Sequence, residues 1–437
     1  MNVFRLPLLV ALLLLAACTQ TTSVAPTAFT LAVIPDTQNM VSYKHQKNAG
    51  FALDGSEQYL RQMATIANWR DAAGQPLAFV VGVGDVWQHQ SKVMDEEHRA
   101  RGFVAIDNPY FASELAVTDR VLSDEIPLAV AGYRKLADAS IPFGVAPGNH
   151  DHDAMWSVAG FPPDMTIAPG DIRMIPQHLG MLHIGGLDNF RSAFSADGEF
   201  FRDAPWYVAS HDGGASSAQL FTAGGYRFLH IALTMQPSDA VLAWAHSVID
   251  RYPGIPTIVS THDYLNTDGE RLPNPMVDLA RVDPDQHNSA QQLWEKLLSQ
   301  RDEIFLVLCG HQHAQSRRVD LNAQGHQVHQ VLADYQARGQ SGLDAGQPMD
   351  SRRGVPAGLG DGWFRLMRFD MAAQPPRVHV RTYSSHYRAY ATDLPQYAHW
   401  YKRYEQPQLT DAEFLAGDEF TLELTDFRAR FAPCCER

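Results

Sequence analysis

The tetrapeptide Gly148-Asn149-His150-Asp151 brings together three side chains that can do chemistry. It follows an apolar run at residues 141–146, which is typical of a buried strand that delivers polar groups to its end. Asn149 offers a neutral oxygen ligand, His150 a proton donor or a metal ligand, and Asp151 a carboxylate that can orient that histidine. Taken alone, the tetrapeptide fits a surface turn equally well, so its interpretation depends on the rest of the chain.

Four further apolar runs also end in polar residues, at residues 29–34, 77–83, 257–260 and 304–308. The oxygen and imidazole donors that follow these runs are Asp36, Gln38, Asp85, His262, His311 and His313. Continuous apolar strands indicate sheets that are covered on both faces. Since α/β enzymes place their chemistry in the loops that follow such strands, we expect these side chains to meet.

Helical patterns alternate with the apolar runs, which predicts an α/β layered fold. Two stretches, at about residues 88–124 and 156–225, are polar or rich in Gly and Pro and are predicted to be cap-like insertions. Further strands are expected at residues 326–332, 363–369 and 378–383, with a long loop at 339–362. The tail from residue 385 contains an alternating pattern at 420–424 that is typical of an edge strand.

Composition narrows the function classes. The chain has 437 residues, of which 45% are hydrophobic and 19% charged, enough for one large or two smaller globular domains. A formal net charge of −14 argues against a nucleic-acid-binding module and against electrostatic docking on anionic lipid. Attraction for an anionic substrate must then be local, for example from bound metal ions. No protein partner is predicted.

The N-terminus has the features of a secretory signal. Residues 8–15 form an apolar run that is too short to span a bilayer. The following Leu15-Ala16-Ala17-Cys18 resembles the lipobox of bacterial lipoproteins, which implies cleavage after residue 17 and lipidation of Cys18. The expected location is the cell envelope, anchored in the outer membrane and facing the periplasm or the exterior, with residues 18–28 as a flexible tether. An ordinary signal peptide with a chance cysteine is the alternative.

The donor set itself indicates a metal site. Carboxylate, amide and imidazole groups without cysteine suit two hard or borderline divalent ions such as Mn, Fe or Zn. One carboxylate can bridge two ions that lie about 3.5–4 Å apart, as two-metal hydrolytic sites require.

In this order the motifs resemble those of the calcineurin-like metallophosphoesterase superfamily, in a subgroup that begins Pro-Asp-Thr-Gln. The matching motifs cover residues 29–320, and they are Asp36-Thr37-Gln38, Gly84-Asp85, Gly148-Asn149-His150-Asp151, His262 and Gly310-His311-Gln312-His313. The resemblance implies an αββα sandwich of two mixed β-sheets flanked by helices, over residues 29–384. Residues 385–437 are then a C-terminal extension that packs on this domain.

The resemblance also implies a ligand set. One ion takes Asp36, Gln38, Asp85 and His313, and the other takes Asp85, Asn149, His262 and His311, so that Asp85 bridges the two. The family usually has His where this chain has Gln38. That residue is therefore interpreted either as a weaker, neutral ligand or as a hydrogen-bonding group beside the ion.

The implied activity is hydrolysis of a small phosphorylated substrate, a phosphate mono- or diester, by a metal-activated water. In that reaction His150 is the general acid and Asp151 holds its tautomer. Within enzymes, a nucleotide or nucleotide-sugar phosphatase or pyrophosphatase is an alternative. From another class, a non-catalytic envelope lipoprotein that uses the fold for binding also fits the sequence. Substrate, metal identity, oligomeric state and the role of Cys434 and Cys435 stay open.

Overall fold

The computed structural model describes residues 27–113, 115–350 and 354–434. The predicted signal peptide, the lipidation site Cys18 and most of the tether lie outside the described residues, as does Cys435. Among the helices of the described part, none is both long enough and apolar enough to cross a membrane.

The described residues form nineteen strands. In chain order, the strands of the described residues are β1 (Ala28–Ile34), β2 (Phe79–Gly82), β3 (Ala105–Ile106), β4 (Phe143–Val145), β5 (Ala154–Val158), β6 (Leu182–Gly185), β7 (Tyr207–His211), β8 (Ser216–Ala223), β9 (Tyr226–Ala232), β10 (Thr257–Ser260), β11 (Ile304–Cys309), β12 (Ala314–Leu321), β13 (Gln327–Asp334), β14 (Met349–Asp350), β15 (Val355–Pro356), β16 (Trp363–Asp370), β17 (Arg377–Ser384), β18 (Ala389–Tyr390) and β19 (Glu419–Glu423).

Most helices are short, and three reach thirteen residues within the described part of the chain. In chain order, the α-helices there are α1 (Gln38–Val41), α2 (Gly55–Ala67), α3 (Glu96–Ala100), α4 (Ile126–Asp138), α5 (Pro176–Leu179), α6 (Asp188–Phe194), α7 (Asp239–Arg251), α8 (Leu279–Val282), α9 (Ala290–Leu293), α10 (Gln340–Asp344), α11 (Tyr397–Glu405), α12 (Asp411–Asp418) and α13 (Phe427–Arg430).

The strands form two large mixed sheets. The first has the order β18-β17-β16-β1-β2-β4, and β19 also pairs with β17. Its neighbours β1, β2 and β4 are parallel, whereas β16 and β17 are antiparallel additions. The second has the order β12-β13-β11-β10-β9-β8-β7, in which β13, β11, β10 and β9 are parallel. The carboxyl ends of parallel neighbours lie at one edge, so each sheet presents a row of strand ends.

The alternation of side chains along the strands explains how the two sheets stack. Leu31 and Val33 on β1 point into a core shared with Phe228 and Leu306 of the second sheet. The intervening Ala32 and Ile34 point outward and join a second core with helices α2 and α4. A third core packs α7 and the segment after α9 against the outer face of the second sheet. The prediction of an α/β chain with mixed sheets flanked by helices is confirmed.

The predicted insertions differ from the structure in extent. Residues 88–124 contain α3 and β3, and β3 joins β5 and β6 in a separate three-stranded antiparallel sheet. Residues 156–225 are predicted to be a cap-like insertion, and within that range β7 and β8 belong to the second large sheet. Their Gly-rich and Ser-rich sequence hides the strand pattern, because β8 has small or polar residues at several buried positions.

The C-terminal extension contacts the domain through a buried ion pair. The Arg338 guanidinium, which is 1% exposed, donates to both carboxylate oxygens of Glu405 on α11, each at 2.9 Å. It also donates to the Tyr397 hydroxyl and lies 4.2 Å above the ring of Tyr335. Since β19 of the same extension pairs with β17, the extension continues the first sheet.

We expect Glu405→Gln to destabilise the chain strongly. The substitution leaves a buried guanidinium without its closest counter-charge, and breaking a buried pair from one side costs about 3–5 kcal/mol. Glu199→Gln is the matched control, because its pair with Arg134 is exposed on both sides and worth less than about 1 kcal/mol. Urea unfolding monitored by circular dichroism measures both. Equal shifts in the two variants would contradict a stabilising role for the buried pair.

Candidate metal centre

The donors predicted from the sequence lie at the adjoining strand ends of the two sheets. Asp36, Asp85 and Asn149 follow β1, β2 and β4 of the first sheet. His262 and His311 follow β10 and β11 of the second sheet. Five side chains from distant parts of the chain therefore meet in one place, as the strand-end argument predicts.

The Nε2 atom of His262 is the point of convergence. Its Nδ1–H donates to the backbone carbonyl of Val83 at 2.8 Å, which directs Nε2 toward the other ligands. Around that nitrogen lie Asp85 Oδ1 at 3.2 Å, Asn149 Oδ1 at 3.2 Å and His311 Nδ1 at 3.1 Å. The two oxygens are acceptors and carry no proton, so the single N–H on Nε2 of His262 cannot serve both oxygens and His311 Nδ1. A cation can bind all of these atoms at once.

The charges around His262 also favour a cation at this point. Burial alone would lower the pKa of His262, but the charges of Asp85 and Asp36 outweigh it and raise that pKa to about 10. Burial and the neighbouring His262 lower the pKa of His311 to about 3. In the metal-free chain a proton on His262 thus takes the place of a cation among carboxylates.

Three carboxyl groups are buried at this centre. Asp36, Asp85 and Asp334 are all buried, and the pKa of Asp36 is raised well above its usual value by burial and by the charge of Asp334. Asp36 Oδ2 accepts the backbone N–H of His311 at 3.0 Å, whereas Asp36 Oδ1 is buried without a hydrogen-bond partner. An acceptor oxygen left over in this way is suited to a metal ion.

The predicted ligands Gln38 and His313 are linked through a residue that the sequence analysis missed. Gln38 Nε2 donates to Asp85 Oδ2 at 3.0 Å and also to the side-chain oxygen of Gln336, which leaves Gln38 Oε1 buried and unpartnered. Gln336 Nε2 lies 2.8 Å from Nε2 of His313, which is exposed at the rim. His313 is therefore connected to the centre through Gln336. The side-chain amide of Gln336 donates to the lone pair on Nε2 of His313.

Gln336 and Asp334 belong to β13 and the turn after it. The two Asp334 oxygens accept the backbone N–H and the side-chain amide of Gln336, at 2.9 and 3.2 Å. Because β13 is parallel to β11, its carboxyl end lies at the same edge as His311. The sequence predicts a strand at 326–332, and an aspartate and a glutamine follow it closely. The sequence pattern does not show that this strand pairs with β11.

The structure corrects the role predicted for Asp151. Its two oxygens accept the backbone N–H groups of Val86 and Gly148, both at 2.8 Å, so it ties two ligand loops together. Nδ1 of His150 lies 2.6 Å from the backbone carbonyl of Gln88, which fixes the tautomer that was attributed to Asp151. The turn 148–151 points the N–H of Gly148 at Asp151, and the N–H of Val86 reaches it from the loop after β2.

Backbone strain and close packing are concentrated at these loops. Asp85 and His311 have φ of +52° and +74°, in the left-handed region that non-glycine residues rarely adopt. Gly148 lies against Asp85 and His262 so closely that a Cβ would be 2.7 Å from His262 Nε2. Glycine is required at position 148 because Asp85 and His262 lie too close for a side chain, and not only because the chain turns there.

A cavity of about 720 Å³ opens beside His313. Its walls come from the first insertion, the second insertion, the loop after Gln336 and α11. The aromatic residues that line it are Tyr110, Phe111, Trp400, Tyr401 and Tyr404. A space of this size holds a small organic group, and aromatic faces favour a flat or apolar one.

The arrangement fits a divalent cation. The ligand atoms of Asp85, His262 and His311 all lie within 4.8 Å of one another, and all three residues are buried. Oxygen and imidazole donors of this kind suit Mn, Fe or Zn. Asp36, Gln38 and Asn149 supply further oxygens around them, of which Asp36 Oδ1 and Gln38 Oε1 have no other partner.

Comparison with known proteins adds little to this geometry. No family model matches the chain. It is 25% identical over 255 residues to the uncharacterized protein YvnB of Bacillus subtilis (strain 168). That match covers 57% of this chain and 15% of the length of YvnB. The name of this relative assigns no activity.

We expect added Mn²⁺ to raise the melting temperature of the metal-free chain. At an ion concentration about 100 times Kd, binding to the folded state alone stabilises it by about 2.7 kcal/mol. His311→Ala should remove most of this gain because it deletes a buried donor, whereas His399→Ala, at an exposed histidine, should keep it. Differential scanning fluorimetry measures the shift. The same shift in His311→Ala as in the wild type would exclude this site.

Proposed function

We propose that this chain is a metal-dependent phosphoesterase that hydrolyses a phosphate mono- or diester. The observation that carries the proposal is the convergence of four metal-ligating side chains on one point between two sheets, with uncompensated carboxylates beside it. The motif order that resembles the calcineurin-like superfamily supports the choice of phosphate ester hydrolysis among the reactions of such sites. The helix-flanked pair of sheets is compatible with that fold.

Two groups of residues would hold the ions. Asp85, Asn149, His262 and His311 would surround one ion, since their donor atoms already lie together. The other ion would take Asp36, Gln38, Asp85 and His313, in place of the contact between His313 Nε2 and Gln336. When bound, two such ions neutralise the charge of a phosphate and make a hydroxide nucleophile available near neutral pH.

The chain's own contribution to leaving-group departure is assigned to His150. Its Nδ1–H is held by the Gln88 carbonyl, so Nε2 is the nitrogen that can carry a proton to substrate. Its backbone N–H donates to Asp85 Oδ1 at 2.9 Å, which fixes the residue beside the bridging carboxylate. The side chain is half-buried and therefore accessible from the site. A histidine in this position can protonate a departing alkoxide.

The aromatic cavity beside His313 would receive the organic part of the ester. Phosphate held between the two sheets places its substituents toward the rim, where His313 forms part of the cavity wall. Tyr and Trp rings give contact area with few fixed hydrogen-bonding directions. Esters with an aromatic or apolar organic group are thus the expected substrates.

We expect the purified chain to hydrolyse bis-p-nitrophenyl phosphate in the presence of Mn²⁺. His311→Ala should reduce kcat/KM more than about 100-fold, because loss of groups that only support metal ligands already costs about 10–100-fold. His399→Ala serves as the control and should retain activity. Release of p-nitrophenolate gives the rate. A wild-type chain that binds metal but hydrolyses no phosphate ester would favour a non-catalytic binding protein.

A comparison of leaving groups tests His150 separately. For a phenyl ester, His150→Gln should lower kcat/KM by about 10²–10⁴-fold, the usual contribution of a general acid. For the p-nitrophenyl ester the loss should be smaller, since p-nitrophenolate leaves without a proton. Metal content measured on the same samples shows that the centre is intact. Equal losses with both esters would indicate that His150 positions the site and does not transfer a proton.

A further inference from the structure

A second group of metal-ligating side chains lies in the inserted part of the chain. His98 is on α3, His183 is on β6, and Asp283 follows α8. Their ligand atoms lie within 4.8 Å of one another, and all three residues are buried. None of them belongs to the metal centre between the two large sheets.

The two histidines present unused nitrogens to this cluster. Nδ1 of His98 lies 2.8 Å from the carboxylate of Asp95, which fixes the proton there and leaves Nε2 buried and without a partner. Nε2 of His183 is also buried and unpartnered. A carboxylate behind an imidazole is the usual support for a histidine that binds a metal through its other nitrogen.

Asp283 completes the group with an oxygen. Its Oδ1 accepts from Arg101 at 2.6 Å, while its Oδ2 is buried without a hydrogen bond and lies 3.7 Å from His183 Nε2. Donors bound to one tetrahedral zinc ion at about 2.0–2.1 Å lie roughly 3.3 Å apart. The observed separation is therefore close to that of two ligands of one ion.

His287 lies next to the cluster. Its ring centroid is 5.8 Å from that of His183, and its Nδ1 is 2.9 Å from the backbone carbonyl of Gln236. With a proton on Nδ1, its Nε2 is the nitrogen that could bind a metal ion. His287 is half-buried.

The polar atoms that face one another in this cluster have no hydrogen-bond partner. Nε2 of His98, Nε2 of His183 and Oδ2 of Asp283 are all buried without one. A buried polar atom without a partner costs free energy, and a metal ion that binds all three atoms removes that cost.

We propose that His98, His183, His287 and Asp283 bind one zinc ion with a structural role. Three imidazoles and one carboxylate, without cysteine, suit tetrahedral Zn²⁺. The ion would join α3 of the first insertion and β6 of the second to the segment that follows α8. These elements lead into the cavity walls at Tyr110 and Leu179, so the ion would hold those walls in place.

Zinc content of the full-length chain tests the proposal. After loading with Zn²⁺ and desalting, His98→Gln/His183→Gln should contain one zinc per chain fewer than the wild type by mass spectrometry of the metal. His399→Gln should match the wild type. His311→Ala should lose activity but keep this zinc, so failure of the metal centre and failure of this site give different results. Equal zinc content in the double variant and the wild type would overturn the proposal.

A measurement on the wild-type chain covers the case in which the double variant does not fold. Crystals grown with Zn²⁺ are measured above and below the zinc absorption edge. An anomalous peak between His98 Nε2, His183 Nε2 and Asp283 Oδ2 is the expected result. A map with no peak there, at a zinc concentration that occupies the metal centre, would overturn the assignment.

Discussion

Mutual repulsion among buried carboxylates is the constraint around which the centre of this molecule is arranged. Asp36, Asp85 and Asp334 meet in an interior where unbalanced charge is costly, with His262 as their nearest positive partner. A folded state that keeps these groups together without a cation must retain a proton that histidine normally releases. Divalent ions would relieve the same repulsion without that proton, so metal binding at this centre would also stabilise the fold.

The two stacked sheets explain how such a centre can be built at all. Each sheet contributes the donors at its own row of strand ends. Neither row alone supplies all the donors that surround His262 Nε2. Asp85 and Asn149 come from the first sheet, and His262 and His311 from the second. The shared apolar core fixes the distance between the rows, because residues such as Leu31 and Phe228 pack between the sheets. The hydrophobic interior thereby sets the geometry of a polar site.

The strand ends and their donors could be predicted from the sequence because a buried strand followed by polar residues is a local pattern. Asp36, Asp85, Asn149, His262 and His311 were found in this way, and the structure brings them together. Contacts between residues that are distant in sequence could not be predicted. The position of Gln336 depends on the pairing of β13 with β11. The histidine cluster depends on contacts between segments about 180 residues apart, as between Arg101 and Asp283.

The hydrogen bonds of Gln38 explain why glutamine, and not histidine, stands at this position. A single amide nitrogen of Gln38 carries two hydrogens, which it donates to Asp85 and to Gln336. An imidazole nitrogen carries at most one, so histidine at position 38 could not bridge both groups from one atom. Gln336 in turn holds His313 through its own amide. Glutamine at position 38 thus belongs to a hydrogen-bonded chain that reaches from the buried carboxylate of Asp85 to the exposed rim at His313.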